Sequence, residues 1–247
     1  MNTSPHRGAR VLVVGEALVD VVRHEDGRSA EHPGGSPLNV AHGLGRLGHR
    51  VQFLGRIGDD ARGEVLQQHL VGAGVDLFPG SLVRGATSVA RAQVDGEGRA
   101  TYEFDLDSTL PRVQLPADLD HVHTGSIGAS VPPGAATALE LLRSARAVAS
   151  TSYDPNVRPV SFSGPEQAVP LVEDFVAAGD VVKASDEDLR WLFPGEADVD
   201  VATRWLRTGP ALVVVTRGAA GAVAVTGSGL VETRRADRAR RGHGRRR

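Results

Sequence analysis

The sequence predicts an α/β sandwich with a mainly parallel sheet and a small β-sheet lid, and three observations carry that expectation. Short apolar runs alternate along the chain with segments of helical periodicity, the rhythm of βα units. The first run, Val11-Leu12-Val13-Val14-Gly15, is apolar throughout, as strands buried on both faces of a parallel sheet are. Two segments then interrupt the rhythm with polar turns between strand-like arms, which predicts antiparallel ribbons lying outside the main sheet.

In chain order, Val11–Gly15 opens as a strand, and residues 19–33 form the first ribbon around the turn Glu25-Asp26-Gly27. Ser36–Leu47 is a helix, because Leu38, Ala41, Leu44 and Leu47 recur on one stripe and Pro37 suits a first helical turn. Val51–Leu54 is a strand, and Asp60–Val71 a helix opened by an acid at its positive end. Residues 87–106 form the second ribbon, an alternating hairpin around Asp95-Gly96-Glu97-Gly98. The two ribbons make up the lid; surface hairpins with no shared role are the alternative. His121–Thr124, Ser150–Tyr153, Asp180–Lys183 and Leu212–Thr216 are further strands, separated by helices at about 134–147, 166–178, 186–192 and 198–207.

Composition bounds the chemistry. The 247 residues contain no cysteine, which excludes disulfides, thiolate metal sites and a cysteine nucleophile. The start lacks the apolar core of a signal peptide and no later run is long enough to span a bilayer, so the expected location is the cytoplasm. The nine histidines show no metal-ligand spacing, and no G-x-S-x-G hydrolase elbow is present. Net charge is −2, but residues 234–247 hold eight arginines and one acid while the rest of the chain carries −9.

Five places carry candidate chemistry. Asp20 follows the first strand, where α/β folds bind ligands, and its carboxylate can accept from two adjacent hydroxyls. Gly34-Gly35-Ser36-Pro37-Leu38-Asn39 leads into a helix: glycines permit close approach, the helix start favours oxygen-rich ligands, and Asn39 offers donor and acceptor together. By itself such a helix entry is more often plain structure. Arg158, in Asp154-Pro155-Asn156-Val157-Arg158, can hold an anion by its fixed fork, or is a surface side chain beside a capping acid. Lys183-Ala184-Ser185-Asp186-Glu187-Asp188 leaves a strand into a helix, where Asp188, as an N-terminal acid, can stabilise that helix. Thr216, Gly218 and Gly221 lie in a strand-turn-strand with two glycines, which by itself is common in any α/β protein.

The run Gly34–Gly48, G-G-S-P-L-N-V-A-H-G-L-G-R-L-G, resembles the N-terminal signature of the ribokinase-like PfkB carbohydrate kinases. Gly15-Glu16-Ala17-Leu18-Val19-Asp20, Gly55–Gly63, the 87–104 hairpin and the V-T-x-G-x-x-G turn at Val215–Gly221 stand in that family's order, from about Val11 to Thr226. The resemblance implies a Rossmann-like αβα sandwich with a β lid over the sugar and ATP-dependent phosphorylation of a small sugar with Mg²⁺. It implies sugar binding by Asp20, Gly34, Gly35, Asn39 and Arg158, and nucleotide binding by Lys183, Ser185, Thr216, Gly218 and Gly221, with Asp188 near the metal. Where the family commonly has Asn-x-x-Glu, this chain has Ser185 and Asp188; the serine resembles the fructokinase branch, and the D-P-N-x-R run is similar to the fructokinase and 2-keto-3-deoxygluconate kinase branches, with fructokinase the first choice. The alternatives are a 2-keto-3-deoxygluconate kinase, a ribokinase, or, from another class, a non-catalytic sugar- or nucleotide-binding protein. Expected partners are a sugar and ATP, with no nucleic acid or membrane, and the family's lid-to-lid homodimer.

The family's D-T-x-G-A-G-D motif, which supplies the proton acceptor and an anion hole for the phosphoryl group, does not occur in the 247 residues, so no catalytic residue is assigned. The expectation is therefore an incomplete kinase domain over 1–233, with its C-terminal part missing and a disordered Arg-rich tail over 234–247. With one permitted choice of GC-rich codons, that tail read one base later gives A-G-P-T-V-R-V-V-D-T-V-G-A-G. Lys183 is the only lysine among 28 basic residues, as a GC-rich gene gives, and a frame slip near Thr233 accounts for the arginines better than a nucleic-acid-binding tail.

Overall fold

A computed structural model describes residues 8–24, 28–94 and 100–233. Both expected lid turns, at 25–27 and 95–98, and the Arg-rich segment 234–247 lie outside the described residues. The central sheet has nine strands, described here from the middle outward. Strand β1 (Arg10–Val14) is followed in sequence by the lid strands β2 (Leu18–His24) and β3 (Ser29–Gly34), helix α1 (Ser36–Arg46) and β4 (Arg50–Leu54). A short β5 (Ile57–Gly58), α2 (Ala61–Val71), β6 (Val75–Leu77) and β7 (Leu82–Val83) precede the second lid hairpin, β8 (Val89–Val94) and β9 (Ala100–Asp105). Then come β10 (His121–Gly125), α3 (Gly134–Ala145), β11 (Ser150–Asp154), α4 (Pro165–Ala178), β12 (Val181–Ser185), α5 (Asp186–Leu192), α6 (Asp198–Leu206), β13 (Leu212–Thr216), β14 (Ala222–Thr226) and β15 (Gly229–Thr233).

The sheet order is β15-β14-β13-β12-β11-β10-β1-β4-β6, parallel from β6 to β13 and antiparallel at β14 and β15. From β1 the chain first builds toward β4 and β6, then returns to build β10 through β13 on the other side. The topological switch therefore falls between β1 and β10, and a crevice opens there at the carboxyl ends of the strands.

Alternation in β1 shows why the sandwich has two helical layers. Leu12 and Val14 face a core with Val122, Tyr153, Val182, Val213 and Val223 from the sheet and Leu142, Phe175 and Trp205 from α3, α4 and α6. Val11 and Val13 face the opposite core, with Phe53, Leu38 and Ala41 of α1, and Leu66 and Leu70 of α2. From β12 to β14 only one face is fully buried; Val181, Lys183, Leu212, Val214, Ala222 and Ala224 on the other remain partly accessible.

The lid is a four-stranded sheet, β3-β2-β8-β9, with the two hairpins joined by parallel pairing of β2 and β8. Val19, Val21 and Val89 pack it onto the α1–α2 side. The expected helix over Ser36–Leu47 ends one residue early: Leu47 closes it as the C-cap and is 77% exposed, so its place on the apolar stripe is corrected. The strand expected at Asp180–Lys183 runs from Val181 to Ser185 instead. Asp180 stops before it because its carboxylate accepts from the Thr151 amide (2.8 Å) and hydroxyl (2.9 Å), tying the strand start to β11.

Candidate active site

A cleft of about 1240 Å³ lies at the switch point, between the lid and the strand ends. Its apolar wall is the inner face of the lid. Register places His32, Asp20, Ala90 and Phe104 in one row across the four lid strands, and Leu18, Val22 and Ala92 line the cleft beside them. Its polar wall comes from α1 (Ser36, Asn39) and from the segments after β1, β10 and β11: Glu16, Ser126, Asn156 and Arg158. The structure thus brings together Asp20 of β2, Gly35 and Asn39 at the start of α1, and Arg158 after β11, from three different segments.

Asp20 is half-buried; desolvation raises its pKa, and His32 and Arg158 pull it back toward ionisation. Gly34 packs against it, and a Cβ there would fall on the Asp20 carboxylate. Gly35 is the N-cap of α1 at φ 105°, and a Cβ would stand 2.6 Å from the Glu16 carbonyl. Both positions let backbone and ligand approach closely. Arg158 donates to Asn156 Oδ1 (2.9 Å), and Asn156 Nδ2 donates to Ser126 Oγ (3.1 Å), so the guanidinium is held in the cleft wall.

The second group lies along the same sheet edge, on β12 and β13. Ser185 and Thr216 are paired in register at the ends of those strands. Thr216 Oγ1 donates to the Ala184 carbonyl (3.4 Å), and Gly218 and Gly221 bracket a single 3₁₀ turn. Lys183 Nζ donates to Asp154 Oδ2 (3.1 Å); burial raises the Asp154 pKa and the lysine opposes it.

Asp188 behaves as part of the frame. It is 7% exposed. Its carboxylate accepts from the Val157 amide (2.7 Å), the Ser185 amide (2.8 Å) and the Ser185 hydroxyl (2.7 Å), while Ser185 Oγ accepts from the Asp188 amide (3.0 Å). This reciprocal capping box starts α5 and pins the D-P-N-x-R segment to it.

Sequence reasoning passed over three features. Glu16, at the end of β1, accepts from the Ser36 amide (3.1 Å) and the Gly128 amide (2.8 Å), and burial raises its pKa to about 7. An acid directly after a fully buried parallel strand is the signal that pointed to it. Asn156 and Ser126 form the brace for Arg158. Arg217, inside the phosphate-type turn, is held by both oxygens of Asp198 (2.6 and 2.9 Å) and by Glu232 (2.8 Å), contacts that raise its pKa. His121 and His123 bond Ser150 and Ser152 across β10 and β11.

Residues 9–239 match the profile of the pfkB family carbohydrate kinases. The chain is 34% identical over 228 residues to a fructokinase of Rhizobium leguminosarum bv. trifolii, covering 87% of this chain and 69% of that one. It superposes on the apo crystal structure of the fructokinase of Vibrio cholerae O395 with a TM-score of 0.80 at 28% identity, covering 92% of this chain and 80% of that one. The fructokinase of Xylella fastidiosa with bound ATP gives 0.79 at 26% identity, covering 92% and 77%.

Proposed function

The chain belongs to the PfkB family of carbohydrate kinases, and we propose that its cleft is a fructokinase-type sugar site served by ATP. The observation that carries this reading is the convergence of Asp20, Gly35, Asn39 and Arg158 on one cleft at the switch point. Asp20 accepts hydrogen bonds from two adjacent sugar hydroxyls, Gly34 and Gly35 admit the sugar close to the backbone, and Asn39 completes its recognition. Arg158, braced by Asn156, faces the hydroxyl end with a fixed positive charge suited to a transferring phosphoryl group. The turn at Thr216, Gly218 and Gly221 holds the nucleotide phosphates, with Lys183 beside them. The ATP-bound relative supports nucleotide use.

Mg²⁺ fits this site less directly. Among the described residues no group of three or more His, Cys, Asp or Glu side chains is placed to hold a metal. Both Asp188 oxygens already accept bonds from the protein. Asp188 therefore acts by fixing Ser185 and Val157, and Mg²⁺ arrives with the nucleotide, held mainly by phosphates and water.

The 247-residue chain binds sugar and nucleotide but transfers no phosphoryl group, because it holds no D-T-x-G-A-G-D run to accept the hydroxyl proton. No helix among the described residues is long and apolar enough to cross a membrane. The test is a panel of fructose, 2-keto-3-deoxygluconate, ribose and nucleosides, measured by calorimetry and by coupled ADP release. Fructose should bind best, with ADP release at background. Fructose-dependent ADP formation would overturn the inactivity, and tighter binding of another sugar would move the substrate assignment.

A further inference from the structure

We propose that Glu16 is a positioning residue that ties the helix bearing Asn39 to the Arg158 wall of the cleft, through a relay that runs from the Ser36 amide to Glu16, to the turn holding Gly128 and Ser126, and on through Asn156 to Arg158. The inference rests on the sugar-site reading above and adds to it a residue outside the set that touches the sugar.

The relay has a direction. Arg158 donates to Asn156 Oδ1 (2.9 Å), and Asn156 Nδ2 donates to Ser126 Oγ (3.1 Å). Ser126 opens the 3₁₀ turn Ser126–Ala129, and Gly128 of that turn is the residue whose amide reaches Glu16. The Ser36 amide (3.1 Å) and the Gly128 amide (2.8 Å) donate to Glu16 from its two sides. Both amides are donors and therefore favour the ionised carboxylate, so protonating Glu16 weakens the two bonds that tie α1 to this turn.

The local fold is built around this arrangement. Helix α1 has no side-chain cap and no acid in its first turn, so Glu16, twenty residues upstream, serves the free amide at its start. Gly35 leaves the space that the Glu16 backbone fills. Among the described residues, the two non-glycine positions with positive φ are Ser126 (58°) and Asn156 (35°), both members of the relay. Strained backbone of that kind persists where surrounding contacts hold it and gathers at functional sites.

Burial raises the Glu16 pKa to about 7, so the relay's acceptor titrates near neutrality. The other charged groups around it are Asp20, His32 and Arg158 in the cleft, and Arg56 and Asp107 behind it, paired with each other at 2.8 Å. Of these, His32 is the one imidazole. A control variant is needed to separate the two.

The experiment has two arms. In the free protein, a nuclear magnetic resonance titration should show the Ser36 and Gly128 amides and the Arg158 Nε–H shifting with one shared midpoint, that of the Glu16 carboxyl. Glu16→Gln should abolish the shared shift, and His32→Gln should leave it in place. In calorimetry, fructose should bind more tightly as pH rises through the Glu16 midpoint. Glu16→Gln should weaken binding about tenfold, the worth of one charge-assisted bond, and flatten the pH profile. An Arg158 signal that does not follow Glu16 in the wild-type chain, or that loses its titration only in His32→Gln, overturns the proposal without need of a folded Glu16 variant. An unchanged pH profile of fructose affinity in Glu16→Gln also overturns it while leaving the sugar site intact. If no sugar binds but the shared titration is seen, the sugar reading fails and the relay stands.

Discussion

Replacing Asp188 with alanine removes three hydrogen bonds at once and should be among the most destabilising single changes in the described chain. The carboxylate is 7% exposed and accepts from the Val157 amide at 2.7 Å, the Ser185 amide at 2.8 Å and the Ser185 hydroxyl at 2.7 Å. The two amides would be left without their partner beneath α5, and water reaches them poorly. A hydrogen bond to a charged acceptor contributes about 1.5–3 kcal/mol, and an unsatisfied buried donor costs about as much again as its desolvation. These contributions overlap and the site relaxes, so the expected loss is about 4 kcal/mol, including about 1 kcal/mol for the capping box. In a domain of this size that corresponds to about 8–16 °C in Tm. Asp188→Asn keeps one acceptor and turns an NH₂ group toward a donor, so it should lose roughly half as much. Paired urea and thermal melts read both values. A wild-type melting curve for Asp188→Ala, with loss only of Mg²⁺-dependent nucleotide binding, would refute the structural role and return Asp188 to the metal.

Three further outcomes follow from the same geometry. Gly35→Ala places a Cβ 2.6 Å from the Glu16 carbonyl at φ 105°, and should cost about 2 kcal/mol by chemical denaturation and weaken sugar binding; a neutral result by calorimetry and urea melt would contradict the close approach. Glu16 has its folded pKa raised from 4.5 to about 7, so the native state holds the proton more tightly than the unfolded state does. Its contribution to stability is therefore present below pH 4.5 and is lost as pH rises toward 7, by up to about 3 kcal/mol, and the difference between wild-type and Glu16→Gln melts should show that slope. His123 runs the other way: buried, with Nε2 unpartnered, it has its pKa lowered from 6.5 to about 4. Stability from this group is lost as pH falls from 6.5 toward 4, again by up to about 3 kcal/mol, and His123→Asn should remove that acid sensitivity in melts across the window.

Much of this architecture is visible in the residues themselves, for identifiable reasons. The apolar run at β1 can only be a doubly buried strand, and Pro37 with the glycines before it marks the start of α1. The arms of the second lid hairpin alternate, which marks its inner face. Other features depend on contacts that spacing does not reveal. β6 is a three-residue Val-Asp-Leu segment, and β5 and β7 have two residues each, too short for any periodicity to register. Glu16 acquires its role from an amide 112 residues away, and Arg217 from acids 19 and 15 residues distant in the chain. Asp188 shows the opposite limit: its place in the family motif puts it near the metal, with helix stabilisation as the alternative, and only coordinates reveal that Ser185 and Val157 engage both of its oxygens. A motif identifies the residue types present, while burial decides whether a carboxylate is open to a ligand or engaged by the fold.

The central claim is that the cleft under the lid binds a sugar through Asp20. Isothermal titration of fructose into the wild-type chain and into Asp20→Ala, in the absence of nucleotide, tests it most directly. The account predicts one site in the wild-type chain and an affinity at least about a hundredfold weaker in Asp20→Ala, since two charge-assisted bonds are lost together. Thermal melts of the two proteins should differ little, because Asp20 is only half-buried. Equal affinity in both proteins would contradict the claim.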